Sequence, residues 1–134
     1  MAQSAENMAR DACMWVNAHP SDFKRLMSVF HRQVDAGFPC TRRGDVYKAA
    51  LDMGMDVSVV DQLRHDHNLY APLTRYMVML RPRLARTINF RKSKLDQIDL
   101  VSIWHQEVDP STVFLASSRM EAERMVELND AAAA

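Results

Sequence analysis

The chain has 134 residues, with 17 Lys and Arg matched by 17 Asp and Glu, so any strongly charged surface must be local. Hydrophobic residues at 48% and charged residues at 25% are ordinary for a globular domain large enough to bury a real core. Cys13 and Cys40 lie far apart without CxxC spacing, the start MAQSAENMARDA is polar, and no apolar run nears the ~20 residues of a membrane span. These features argue against a disulfide framework, a signal peptide and a membrane partner, and they predict a cytoplasmic protein with reduced thiols.

Three glycines and five prolines leave little room for tight hairpins and favour helices. Ten methionines suit an adaptable helical core, a Met-lined binding groove being the alternative. The first helix is expected to open at Ser4, with Glu6 in its first turn and Met8, Ala12 and Trp15 at helical spacing, and to stop near His19-Pro20. Ser21 is the expected N-cap of the second helix, with Asp22 at the positive end of its dipole. Phe23, Leu26, Met27, Phe30 and Val34 form its apolar stripe. Gly37 ends it and Pro39 prevents continuation.

Thr41 should cap a third helix bearing Val46, Ala50, Leu51 and Met53, closed by Gly54. Ser58 with Asp61 resembles a short-acid capping box for a brief fourth helix. Asn68 is the expected cap of a fifth, whose stripe is Leu69, Leu73, Met77 and Leu80. Thr74, Arg75, Val78 and Arg81 would then point away from the core. After Pro82 the period changes, and Ile88 and Phe90 alternate with polar neighbours as a short strand would. Ser93 and Asp96 suit the start of a helix carrying Leu95, Ile98, Val101 and Trp104. Residues 112–116 (TVFLA) have strand length, and Ser118 with Glu121 forms a capping box for a final acidic helix.

The architecture implied is mainly α, a single-domain helical bundle over 1–134. Residues 21–100 would form a winged-helix-like core with one or two short strands, and 111–134 an acidic extension. Charge follows the same division. Residues 24–94 hold 14 Lys or Arg against 6 Asp or Glu, and the flanks 3 against 11. Between His67 and Leu95 lie Arg75, Arg81, Arg83, Arg86, Arg91, Lys92 and Lys94 without one acid. Such a block is what a polyanion-facing surface needs.

Catalytic patterns are absent. There is no GxSxG elbow, HExxH helix, phosphate loop or GxGxxG turn. His65 and His67 diverge on a helix and lack further ligands, so no metal is expected. Asp96 and Asp99 are the nearest approach to a nuclease carboxylate pair, and caps are their commoner use. The chain therefore reads as a non-enzymatic nucleic-acid binder without cofactor, DNA being the expected partner.

In the winged-helix reading the fifth helix would enter the major groove, offering Asn68, Tyr70, Thr74 and Arg75 to bases and phosphates. Arg91, Lys92, Ser93 and Lys94 would form the wing. Arg42, Arg43 and Lys48 would add phosphate contacts at the third helix, with Arg81 and Arg86 extending the basic face. The acidic C-terminal residues Glu121, Glu123 and Glu127 could instead pair with these cations.

The segments NLYAPLTR (68–75) and RKSKLD (91–96) together resemble a group of small phage- or prophage-encoded bacterial proteins without an assigned activity, over roughly residues 15–105. Where those relatives show paired asparagines, this chain has His67-Asn68. The resemblance implies a mobile-element origin and brings no catalytic residues. Small proteins of such origin often bind DNA or disable a host protein. The competing reading, motivated by the neutral total charge, the Met-rich helices and the acidic last helix, is a protein-interaction module such as an inhibitor of a host or defence factor, or a helical homodimer. Trp15, Tyr70, Tyr76 and Trp104 would be its interface anchors.

Overall fold

Spacing and caps translate directly into helices at the start of the chain. A computed structural model describes residues 3–38 and 42–110, in which Ser4 caps α1 (Ala5–Ala18) by accepting the Asn7 amide at 3.2 Å. Next, α2 (Pro20–Asp35) buries Phe23, Leu26, Met27, Val29 and Phe30. Its N-cap is His19 rather than Ser21, because Pro20 takes the first helical position, where a missing N–H costs nothing. Gly37, at φ +80°, supplies the left-handed residue that closes α2.

The next three helices are α3 (Arg43–Asp52), α4 (Val57–His65) and α5 (His67–Leu80). Both α4 and α5 begin earlier than their Ser58 and Asn68 signals suggest. Asp56 caps α4 through the Ser58 amide and hydroxyl at 2.8 and 2.6 Å, and Asp66 caps α5 through the Leu69 amide at 3.1 Å. In each case a carboxylate two residues upstream brings a full negative charge to the helix N-terminus. Pro72 is consequently interior to α5, where it cannot donate to the carbonyl four residues back. The Thr74 hydroxyl bonds the neighbouring carbonyls of Tyr70 and Ala71 at 3.2 and 3.0 Å.

Beyond α5 come a 3₁₀ turn at Pro82–Arg86, an irregular stretch through residue 93, a second 3₁₀ turn at Lys94–Gln97, and α6 (Leu100–Glu107). The strand expected at Ile88–Phe90 is not formed, and no strand occurs among the described residues. Ile88 is buried and Phe90 exposed, but no partner strand lies beside them. The helix expected to run unbroken from Ser93 to Trp104 is divided at Ile98 and Asp99. Ser93 and Asp96 cap the 3₁₀ turn with a capping box, and Asp99 caps α6 through Ser102. The Thr41 cap, the 112–116 strand and the acidic helix opening at Ser118 lie outside the described residues.

The buried residues form one cluster that runs from Ala5 to Val108. Helix α5 sits at its centre, packed by α1, α4, α6 and the first 3₁₀ turn, while α1 also packs on α6. Tyr76 is fully buried, donates to the Ala9 carbonyl at 3.2 Å, and stacks at 4.9 Å on Trp104, which also meets Phe23. Trp15, Tyr76 and Trp104 are therefore core residues and not interface anchors. No helix among the described residues is long and apolar enough to cross a membrane.

Three caps carry a pH signature. Hydrogen bonds hold Asp56, Asp96 and Asp99 below the usual carboxylate range, donated by the Ser58 hydroxyl and amide, by the Ser93 amide and Arg75, and by the Ser102 hydroxyl and amide. A carboxyl whose folded pKa is depressed stabilises the fold above its unfolded value, and that contribution disappears as pH falls through the folded one. Burial, with Arg81 and Arg83 nearby, lowers the His31 imidazole pKa, so thermal unfolding followed by circular dichroism should show a gentle loss of stability below about pH 6.5 and a steeper one below about pH 4, where these carboxylates protonate. Asp56→Asn with Asp99→Asn should make the decline shallower.

Candidate nucleic-acid interface

Pro72 to Met77 are all buried, so α5 is enclosed by neighbours over this stretch and meets solvent only towards its two ends. This overturns the outward placement of Thr74 and Arg75, which are 3% and 9% exposed. A helical wheel marks one apolar stripe, but a helix at the centre of a bundle buries its other sides too. Arg75 is spent on the protein itself. Its Nε meets Asp96 Oδ1 at 3.2 Å, Nη1 donates to the Ala71 carbonyl at 3.1 Å, and Nη2 donates to the Arg91 carbonyl at 2.9 Å. The same guanidinium lies over the Phe90 ring, 4.8 Å from its centroid. It braces the irregular 88–93 segment against α5.

That brace shapes a groove of about 660 Å³. The expected site residues Arg43, Asn68, Tyr70, Thr74, Arg75, Arg91, Lys92, Ser93 and Lys94 all line it, from three separate parts of the chain. Met8, Phe30 and Ile88, all buried, provide apolar lining, and His67, Asn89 and Phe90 complete the polar and aromatic walls. No Asp or Glu contributes to the lining. Arg42, Lys48, Arg81 and Arg86 do not belong to the groove. Arg42 and Lys48 are exposed around α3, Arg81 is half-buried at the end of α5, and Arg86 is exposed on the first 3₁₀ turn.

The cations of the groove fall into two groups. Arg43, like Arg75, is held internally. Its guanidinium donates twice to the Tyr47 hydroxyl, at 3.0 and 2.8 Å, reaches the Leu63 carbonyl at 3.3 Å, and lies 4.4 Å from the centroid of Tyr70. Burial pushes the Tyr70 phenol well above its ordinary range, so that ring stays neutral and serves as a wall. Arg91 and Lys92 are different. Both are exposed, and among the described residues no carboxylate stands within ion-pair distance of either. Lys94 is exposed as well, with its ammonium donating to the Gln3 carbonyl.

Asp96 and Asp99 are engaged as caps of successive helical turns. Asp96 is occupied by Ser93 and Arg75, and Asp99 by Ser102. Ile88 and Phe90 are lining residues that the alternating pattern assigns to a strand instead of the site. An aromatic set between Asn89 and Arg91 was the available signal. The arrangement thus joins internally held guanidinium groups, exposed cations, apolar lining and aromatic rings in one concavity. Comparison of the chain with protein-family models, with curated proteins and with solved structures found no significant match.

Proposed function

We propose that the protein binds nucleic acid through this groove and catalyses no reaction there. The supporting observation is the acid-free lining, in which exposed Arg91 and Lys92 stand with Arg43, none of them ion-paired among the described residues, while Arg75 is already neutralised by Asp96. Like charges are costly to gather, and a phosphate backbone is the ligand that relieves them. The reading departs from the winged-helix expectation in where contact is made, since the cations border a hollow and do not project from a recognition helix.

Protein-partner readings lose support from the burial of Trp15, Tyr76 and Trp104. The direct test is fluorescence anisotropy with labelled oligonucleotides across a salt series. Two or three phosphate contacts imply a log–log slope of about −2, so affinity should fall roughly tenfold between about 50 and 200 mM salt. Absence of binding at the lowest salt, or binding indifferent to salt, would remove the proposal.

A further inference from the structure

We infer that the groove accepts single-stranded nucleic acid, with an unpaired base stacked on Phe90 and the adjoining phosphates on Arg91 and Lys92. This rests on the nucleic-acid reading above and narrows it. Shape is the first argument. Reading the major groove of a duplex requires a protruding helix or ribbon, whereas these cations surround a concavity. A base within a duplex is stacked and paired, and only an unpaired one can be turned into such a hollow.

The second argument is the Phe90 ring. It is 41% exposed, while Phe23 and Phe30 are buried to 0% and 1%. The Arg75 guanidinium covers one face at 4.8 Å, and that guanidinium is itself immobilised by Asp96 and the carbonyls of Ala71 and Arg91. The ring is therefore held from behind, with part of its surface open to solvent. A stacking platform of this kind costs no ordering when a base arrives, which is where a floppy aromatic would lose affinity. One ring followed directly by two cations, Phe90-Arg91-Lys92, sets a stacking surface beside a basic track, the combination a sequence-tolerant single-strand site uses.

The pocket's apolar lining supplies the third. Half-buried Tyr70 and Ala71 with exposed Phe90 give the hollow an accessible apolar surface suited to a flat base, backed by buried Met8, Phe30 and Ile88, and the exposed cations suit the backbone that carries it. A ligand made of phosphate alone would leave that lining unused.

The experiment compares labelled single strands of DNA and RNA of about 15 nucleotides with a duplex of the same length, using anisotropy at low salt. Wild type should prefer either single strand to the duplex by about tenfold or more. Phe90→Ala should cost about tenfold on single strands, and Phe90→Leu, which keeps apolar bulk, should cost nearly as much. Phe90→Trp should retain binding, with its indole emission, over the background of Trp15 and Trp104, quenched as bases stack. Circular dichroism melts establish that each variant is folded.

Single-strand binding unchanged in both Phe90→Ala and Phe90→Leu would overturn the stacking inference while leaving salt-dependent nucleic-acid binding in place. Equal affinity for duplex and single strand would do the same. Complete displacement of the strand by a nucleoside monophosphate would reassign the groove to free nucleotides. Binding of neither strand nor duplex by wild type would sink both this inference and the function it rests on.

Discussion

Arg75→Ala is expected to destabilise the fold by about 3 kcal/mol, a large share of the stability of a domain this size. The side chain is 8% exposed and makes one ion pair, two hydrogen bonds to carbonyls and a contact with an aromatic face. Its removal leaves the Ala71 and Arg91 carbonyls without that donor and frees the 88–93 segment from α5. Asp96 is 48% exposed, so water compensates that partner, which keeps the loss below the range for a fully buried pair. Arg75→Lys preserves the charge without the planar fork that reaches three acceptors at once, and should recover less than half of the loss. Urea denaturation measures both. A midpoint for Arg75→Ala indistinguishable from wild type would show that the brace carries no weight.

The paired substitution Arg91→Ala with Lys92→Ala should lower affinity for single strands by about 10- to 100-fold at low salt and reduce the salt slope by about 1.4. Each exposed cation that neutralises a phosphate releases counterion, and both side chains stand in the groove without a carboxylate partner among the described residues. The fold should be unaffected, because Arg75 grips the Arg91 carbonyl and that atom survives truncation. Arg42→Ala with Lys48→Ala is the matched control. Those cations are equally exposed but lie outside the groove, so binding should change by less than about twofold if position, and not total charge, decides. Equal losses from the two pairs would mean that the basic surface acts diffusely.

Helix content was the most legible property of the chain. The i, i+3, i+4, i+7 stripe of α2 and the Ser4 cap of α1 are local signals, and local physics realises them. The site was legible as a region, since the acid-free run between His67 and Leu95 contributes most of the groove. Its internal assignments were not. Arg75 and Thr74 look solvent-facing on a wheel, and only the packing of α1, α4 and α6 around α5 reveals that they are enclosed. Arg43 shows no sequence sign that it folds onto Tyr47 and Tyr70. The Ile88–Phe90 alternation was real as burial, but a strand also needs a neighbour to hydrogen-bond with, and none of the described residues supplies one.

Lys94 donates to the Gln3 carbonyl, and Gln3 in turn reaches Asp11 on α1. Gln3 is thereby moored to the lip of the groove. A fluorophore attached at position 3 would sit next to the mouth, within energy-transfer reach of a labelled oligonucleotide, and would report occupancy without altering any lining side chain.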